Sequence, residues 1–533
     1  MKQEKSTDMH PPTGPVFGVS YAETICAARG WSFSEVFRSQ FRILPAGAAS
    51  PQGWSSSQVE NWALQHCPSL LRTELLSKDG TVIGLVLGVA ITAHGSILED
   101  SFRFEESLSL PDLEVFISGL AGRFVVLLAT GTAQRLYFDP VAGMTAVFNP
   151  ETRCTGSSVP LVINDELLPN QDIDPTVFEF GRDLYMLGET CDQRVTRVMG
   201  NHYLDLSTFE LTRHWPTADL NFEEFEGSRH IAFRRIYEKL SLNIEALTNR
   251  FSCALPITGG LDSRLLLSAA RPHLRKIKSY YAHRINWATE LDCEIGTMIA
   301  REMNLPYQVV SNEAAHFHQD MTEVETRDLR DQIRLRTGFE QDGISDDTVR
   351  AVALTPDCDI VLRGNVIELT RANKWPATGW KQTPTAEIGL HRLMNCRVGE
   401  LLPKIGEDRY NRLLARYEKW MSGLPASTHA RLYDLAHVEI FLPSAGSNAF
   451  YWPTNAFFLN PFNDRTLIHL TTQMAPRARY RQRLVDALVQ WGCPELQDIP
   501  FHGDAKANLK TARKSGLAVT LSTWRDALNG RVS

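Results

Sequence analysis

The sequence predicts a two-domain protein in which a β-rich N-terminal part precedes a C-terminal α/β part built on a parallel sheet. The chain has 533 residues, 43% hydrophobic and 22% charged, which is enough for more than one packed core. Short apolar runs rich in strand formers, with turn residues between them, fill residues 81–215. From residue 251 onward, strand patterns alternate with helical patterns, which is typical of a parallel sheet.

The expected domain boundaries follow the changes in this pattern. Residues 1–78 mix polar turns with short helical patterns, and the sequence does not reveal their fold. Residues 79–220 carry the β-rich runs, such as "LAGRFVVLLATG". A helical pattern then leads into residues 221–533, where "SCALPIT" is followed by "DSRLLLSAA". We therefore expect a β-rich domain at 79–220 and an α/β domain at 221–533.

Charge and composition exclude several classes of partner. The net charge of -7 argues against a general nucleic-acid-binding surface, which usually has a basic excess. No apolar run reaches eighteen residues, and the first twenty residues lack the apolar core of a signal peptide. The nine cysteines are scattered and never spaced as CxxC, which argues against a disulfide framework or a structural zinc site. We expect a cytoplasmic protein with neither nucleic-acid nor membrane partners.

The segment "ITGGLDSR" at 257–264 is the strongest chemical motif. An apolar strand ends in two glycines and a helix follows, which directs backbone N–H groups and the positive helix end at one point where an anion can bind. Asp262 can carry a magnesium ion, the usual companion of a nucleotide polyphosphate. The alternative is a plain strand-to-helix turn capped by Asp262 or Ser263. The expected phosphate ligands are Thr258, Gly259, Gly260 and Ser263.

These residues resemble a known family. "TGGLDS" resembles the SGGxDS pyrophosphate loop, or PP-loop, of the ATP pyrophosphatase superfamily. The chain order resembles the asparagine synthetase family, since 122–149 is similar to its hairpin with an "RDPLG"-like turn and 460–476 to its "PFLD…LP" helix. The resemblance implies an N-terminal Ntn-hydrolase-like sandwich, a degenerate glutaminase, followed by an adenine nucleotide α-hydrolase-like synthetase domain. It also implies ATP and Mg²⁺ as cofactors.

One departure from the family concerns the nitrogen donor. Glutamine-hydrolysing members expose a nucleophilic cysteine directly after the initiator methionine, whereas this sequence has Lys2 there. Cys26 and Cys67 are internal, and most free cysteines are inert packing residues. The chain is in this respect similar to β-lactam synthetases and lasso-peptide cyclases, whose amine comes from the substrate. We expect no glutamine hydrolysis.

A second departure concerns the acidic motif of the family, roughly GEGADELFGG. The matching segment "LRGNVIELTRANKW" at 362–375 offers only Glu368 as an acid. The resemblance implies that Glu368 completes a magnesium site with Asp262. The alternative is a glutamate on a solvated helix surface. Loss of the family's acidic pair argues against aspartate as the substrate.

Basic residues complete the expected site. Arg264 follows the loop serine and is expected to reach a phosphate, with a solvated side chain as the alternative. Family members place a C-terminal lysine over the adenylate, where a cation stabilises developing negative charge. The segment "PFHGDAKANLKTARK" at 500–514 offers Lys506 as first choice and Lys510 as second. The alternative is a solvated helical face.

The loop and the resemblance together predict an ATP-dependent ligase. It would activate a carboxylate as an acyl-adenylate and transfer the acyl group to an amine, releasing AMP and pyrophosphate. The expected substrates are a small-molecule carboxylate and an amine, or a peptide or natural-product precursor. Three alternatives remain: an asparagine synthetase using aspartate and free ammonia, a lasso-type peptide or natural-product cyclase, and a non-catalytic nucleotide-binding interaction protein.

Overall fold

The structure, a computed structural model, describes residues 17–131, 133–170, 185–222, 225, 229–285, 287–311, 322–339, 344–375, 384–446 and 454–503. In the N-terminal half the helices are α1 (Tyr21–Arg29), α2 (Phe33–Val36) and α3 (Leu110–Ser118). The strands of this half are β1 (Phe41–Pro45), β2 (Ser55–Val59), β3 (Trp62–His66), β4 (Arg72–Leu76), β5 (Val82–Ile91), β6 (Asp100–Arg103), β7 (Ala121–Thr130), β8 (Ala133–Phe138), β9 (Val147–Asn149), β10 (Cys154–Gly156), β11 (Thr196–Arg197), β12 (His202–Asp205) and β13 (Glu210–Arg213).

In the C-terminal half the strands are β14 (Cys253–Pro256), β15 (Ile277–Arg284), β16 (Tyr307–Ser311), β17 (Ile360–Leu362) and β18 (Phe457–Leu459). The helices are α4 (Arg229–Arg250), α5 (Leu261–Ala269), α6 (Trp287–Glu302), α7 (Glu323–Arg336), α8 (Asp346–Ala353), α9 (Ala386–Leu393), α10 (Leu401–Ile405), α11 (Glu407–Ser422), α12 (Leu432–Ala436), α13 (Arg465–Gln473), α14 (Pro476–Tyr480) and α15 (Arg483–Gly492). None of these described helices is both long enough and apolar enough to cross a membrane.

Two sheets pack face to face in the N-terminal half. One has the order β11-β9-β10-β1-β3-β2 and the other β13-β12-β8-β7-β5-β4-β6. Alternate residues along each strand point to opposite faces, so Phe41 and Ile43 of β1 share a core with Val125 and Leu127 of β7. The outer faces pack against α1 and α2 on one sheet and against α3 on the other. The predicted β-rich N-terminal region is confirmed, and residues 17–78 contribute strands to both of its sheets.

The C-terminal sheet is parallel throughout, with the order β16-β15-β14-β17-β18. Its central strand β14 is buried on both faces. Cys253 and Leu255 pack into the core that contains α4, α5 and α15, whereas Ala254 packs into a smaller core on the other side. The predicted combination of a parallel sheet with helices is confirmed. Because the chain proceeds from β14 to β15 and β16 on one side and returns to β17 on the other, β14 and β17 flank the topological switch point.

Buried polar contacts join the two halves. Asn463, just before α13, donates from Nδ2 to Asp139 Oδ1 and to the carbonyl of Gly122, each at 2.7 Å. Glu439 is completely buried and accepts hydrogen bonds from Arg213 at 2.6 Å and from Trp420 Nε1 at 2.8 Å. Because buried polar groups are costly without partners, these contacts fix how the halves meet.

Candidate functional site

The predicted strand, bend and helix are present at residues 253–269, and the bend lies at the carboxyl end of β14. Gly260 is the N-cap residue of α5. Its N–H donates to Thr258 Oγ1 at 3.2 Å, and Ser263 Oγ donates to the carbonyls of Thr258 and Gly260 at 3.1 Å. Thr258, Gly260 and Ser263 are half-exposed. The two hydroxyl groups therefore hold the shape of the bend while leaving part of it open to solvent.

Gly259 is the buried residue of the bend. Its N–H donates to Asp292 Oδ1 at 3.0 Å, and its carbonyl accepts from the backbone N–H of His502 at 2.9 Å. A Cβ at this position would lie only 2.6 Å from Ile295 Cδ1. The absence of a side chain at Gly259 thus lets α6 pack closely against the bend. A carboxylate of the chain engages one of the backbone donors that we expected for a phosphate.

Arg264 does not occupy the position expected for it. The side chain is completely buried, and Nη1 donates to the carbonyls of Ile499 at 2.6 Å and Leu496 at 3.2 Å. Nη2 bonds the carbonyl of Pro500, and the guanidinium lies 4.1 Å from the ring centroid of Phe501. Charge-assisted hydrogen bonds of this kind are strong. The structure corrects the expected phosphate contact: Arg264 anchors the segment 496–501 against α5.

Asp262 lies at the switch point with its side chain 27% exposed. Both carboxylate oxygens accept from Arg371 Nη2, at 2.9 and 2.7 Å. Burial is the main reason why the pKa of Asp262 is raised to about 6; Arg371 opposes the rise, and the nearby charge of Glu368 adds to it. A Cβ on Gly364 would lie 3.0 Å from Asp262 Cβ, so the loops that follow β14 and β17 touch at this point.

Glu368 belongs to the 3₁₀ segment Asn365–Arg371, which follows β17. Its Oε2 lies 3.1 Å from Nε2 of His437, and the Glu368 side chain is 28% exposed. His437 is almost completely buried and begins the π-helical segment His437–Gly446. Such segments are rare and are often found at functional sites. Glu368 is therefore part of a side-chain cluster, which disagrees with the alternative of a solvated helix surface.

The chemistry of Asp262 and Glu368 fits a divalent cation. The charge of Glu368 contributes to the raised pKa of Asp262, so the two carboxylates lie within electrostatic range. Carboxylate oxygens are the ligands that Mg²⁺ prefers, and in nucleotide sites phosphate oxygens and waters usually supply the remainder. Within the described part of the chain, no group of three or more His, Cys, Asp and Glu side chains could hold a metal ion by itself. A cation here would need further ligands besides these two carboxylates.

The two expected lysines, Lys506 and Lys510, lie outside the described residues. The described chain ends at Gly503, one residue beyond the contact between His502 and Gly259. A different lysine lies in the cluster. Lys374 is 7% exposed, and its Nζ donates to Asn395 Oδ1 at 2.8 Å. Burial lowers the pKa of Lys374 to about 8, while the charge of Glu368 opposes this.

Sequence reasoning missed Arg371, Lys374 and His437. Arg371 and Lys374 lie within the segment 362–375, from which the sequence predicts only Glu368 as a site residue. The three-residue spacing from Glu368 to Arg371 places both on one turn of a helix and could have indicated Arg371. His437 is 69 residues from Glu368, and no local pattern connects them.

Comparison of the chain with protein-family models and with curated proteins gives no match. The arrangement of these side chains is therefore the basis for inferring function.

Proposed function

We propose that this protein is an ATP-dependent ligase that activates a carboxylate as an acyl-adenylate and transfers it to an amine, releasing AMP and pyrophosphate. The observation that carries the proposal is the meeting of two loops at the switch point of a parallel sheet. One is the glycine bend that opens α5, and the other carries Glu368. Open α/β sheets bind their ligands at this place, outside the carboxyl ends of the strands.

The bend would act as a PP-loop for the pyrophosphate part of ATP. The first turn of α5 presents backbone N–H groups and the positive end of the helix dipole. Thr258 and Ser263 are half-exposed and can turn their hydroxyl groups toward phosphate oxygens. At Gly259 a phosphate would compete with the Asp292 carboxylate for the N–H. The loop position on the central strand supports an adenine nucleotide α-hydrolase-like assignment for the C-terminal region.

Asp262 and Glu368 would hold Mg²⁺, which neutralises charge on the phosphates when it is bound. These two half-buried carboxylates lie close enough for their negative charges to repel one another, and a bound cation would remove that repulsion. Arg371 now neutralises Asp262. With the metal on Asp262, the guanidinium of Arg371 would be available for a phosphate, with which it can form two parallel hydrogen bonds.

We further propose that the nitrogen comes from an amine substrate and that glutamine is not hydrolysed. The two face-to-face sheets of the N-terminal half support a sandwich of the glutaminase type. Cys26 and Cys67 are buried, and burial raises the pKa of the Cys26 thiol to about 12. A thiol with such a pKa is protonated at neutral pH and is a poor nucleophile. The sandwich would then serve as a structural partner of the synthetase region.

Pyrophosphate exchange tests the ligase. The protein is incubated with ATP, Mg²⁺, labelled pyrophosphate and a panel of carboxylates, and binding of Mg-ATP is followed in parallel by thermal shift. We expect exchange with at least one carboxylate, and a loss of at least 100-fold in Asp262→Ala, since a charge that acts on phosphates is removed. Asp408→Ala is the matched control, because Asp408 is exposed and occupies the same second position of α11 that Asp262 occupies in α5.

The outcomes separate the ligase from its alternatives. AMP release that requires aspartate and ammonia would identify an asparagine synthetase, and AMP release with a peptide or natural-product precursor would identify a cyclase. Binding of Mg-ATP without exchange across the panel would favour a non-catalytic nucleotide-binding protein. In this structure Asp292 accepts the N–H of Gly259, and Arg371 forms an ion pair with Asp262. These contacts within the chain are the observation that favours the non-catalytic nucleotide-binding protein as the second candidate function. Absence of both binding and exchange would refute nucleotide chemistry at this site.

A further inference from the structure

His502 lies against the buried glycine of the bend. Its backbone N–H donates to the carbonyl of Gly259 at 2.9 Å, and a Cβ on Gly259 would lie 3.2 Å from the Cβ of His502. The segment 496–501 brings His502 to this place, because three carbonyls of that segment accept from the buried guanidinium of Arg264. These contacts fix the backbone of His502 without using its imidazole ring.

The imidazole ring of His502 has a buried nitrogen without a partner. Its Nε2 is buried and has no hydrogen-bond partner among the described residues. Its Nδ1 lies 4.0 Å from Oδ1 of Asp292, which is beyond hydrogen-bond range. Buried polar atoms in native proteins are almost always paired, so an unpaired one needs an explanation. A ligand that changes the hydrogen bonds of this ring would supply one.

Asp292 lies between the bend and the ring. Its Oδ1 accepts the N–H of Gly259 at 3.0 Å and is the same atom that lies 4.0 Å from His502. A phosphate oxygen that took over this N–H would lie in nearly the same place and would displace the carboxylate. A shift of about 1 Å would then bring the carboxylate from 4.0 Å to within hydrogen-bond range of the ring.

The charges near His502 determine the result of such a shift. Among the described contacts of His502 and its neighbour Phe501, the charged groups are Asp292 of α6 and Arg264 of α5. The guanidinium of Arg264 already donates to main-chain carbonyls. A bound phosphate adds negative charge, and nearby negative charge favours the protonated form of a histidine.

We propose that Asp292 and His502 respond together to bound pyrophosphate. When a phosphate oxygen takes the N–H of Gly259, Asp292 turns to Nδ1 of His502, and the ring takes up a proton from solvent. The imidazolium then offsets part of the charge of the phosphate. This inference rests on the proposed pyrophosphate site and assigns positioning roles to Asp292 and His502.

Proton uptake on binding of pyrophosphate tests the proposal. Titration calorimetry with Mg²⁺ and inorganic pyrophosphate, repeated in buffers of different ionisation enthalpy, gives the number of protons taken up per site. Because pyrophosphate itself changes protonation, the decisive quantity is the difference between the wild type and His502→Gln. Near neutral pH we expect the wild type to take up about half a proton more. We also expect it to bind about tenfold more tightly, since a charge-assisted hydrogen bond is lost in the variant.

Two further variants separate this role from a structural one. Asp292→Asn keeps an acceptor for the N–H of Gly259 but removes the charge that favours the imidazolium, so its proton uptake should fall to that of His502→Gln. His429→Gln changes an exposed histidine in the segment Ala426–Arg431 and should behave as the wild type. A purely structural His502 would lower the melting temperature of its variant and leave proton uptake unchanged.

The outcomes are distinct from those that test the ligase. Equal proton uptake in the wild type, His502→Gln and Asp292→Asn overturns the paired response, even if carboxylate-dependent exchange shows that the ligase is correct. If uptake depends on His502 while no acid supports exchange, the paired response stands and the ligase fails. Absence of pyrophosphate binding to the wild type overturns both.

Discussion

The raised pKa of Asp262 can be tested by stability measurements that need no substrate. Burial raises its pKa from an ordinary 3.8 to about 6, and this value already includes the attraction of Arg371. Between these two pH values the folded protein binds more protons than the unfolded chain, so the free energy of unfolding falls as pH rises. A rise of about two in pKa corresponds to about 3 kcal/mol of unfolding free energy, because a pKa change of one corresponds to about 1.4 kcal/mol. Ionised Asp262 is therefore a destabilising group at neutral pH.

Asp262→Asn removes this charge and keeps the shape of the protonated carboxyl group. We expect the variant to be more stable than the wild type by about 3 kcal/mol at pH 8, with the difference declining below pH 6 and vanishing near pH 3. Urea unfolding at a series of pH values, followed by tryptophan fluorescence, measures it. A difference that does not depend on pH, or a less stable variant at pH 8, would refute the argument.

A control with the opposite sign is available on α3. Asp112 is an exposed aspartate that accepts from Ser109 Oγ and N–H, and these hydrogen bonds hold its pKa below the ordinary value. Its ionised form therefore favours the folded state above the unfolded pKa, and that contribution is lost as pH falls. Asp112→Asn should be less stable than the wild type at pH 8 and equal to it at low pH. If both variants shift in one direction, the effect is not due to these carboxylates.

Three other substitutions probe the same region and its supports. Arg264→Ala leaves three carbonyls without a donor and should cost about 2–4 kcal/mol of unfolding free energy, with faster proteolysis after residue 496 as an independent readout. Glu439→Gln leaves Arg213 without its buried counter-ion and should cost about 3–5 kcal/mol in chemical unfolding. Lys374→Met should raise stability at pH 7 by about 3 kcal/mol, because the folded pKa of Lys374, about 8, lies below its ordinary 10.5. The folded state binds fewer protons in this interval, so the gain should vanish above pH 10.5 when urea unfolding is repeated there.

The sequence predicted the local parts of the site because their signals are local. The apolar run 253–257 and the two glycines after it indicate β14 and the start of α5 within a dozen residues. The contact between Gly259 and Asp292 spans 33 residues, and Arg264 reaches carbonyls more than 230 residues away. Such contacts depend on the tertiary fold, so the sequence alone predicts a phosphate contact for Arg264, whereas the fold directs its side chain to the C-terminal segment.

The N-terminal segment 17–78 shows a second reason why some elements cannot be predicted from the sequence. Strand β2 has the sequence "SSSQV" and pairs on one side only, at the edge of its sheet, where four of its five residues are not buried. An edge strand buries little, so it lacks the apolar alternation by which strands are recognised. Strand β3, beside it, is buried throughout, and its residues include Gln65 and His66. Neither pattern distinguishes these strands from turns in sequence alone.

The buried polar contacts of Asn463 between the two halves have a practical consequence for experiments on fragments of the protein. The amide of Asn463 bonds Asp139 and Gly122, and the wholly buried guanidinium of Arg465 donates to the carbonyl of Phe138 at 3.0 Å. A fragment starting at α4 would strip these groups of their acceptors and uncover the apolar surface around them. An isolated C-terminal half would thus lack contacts on which its native structure depends. Absence of activity in such a fragment would not show that the intact chain is inactive.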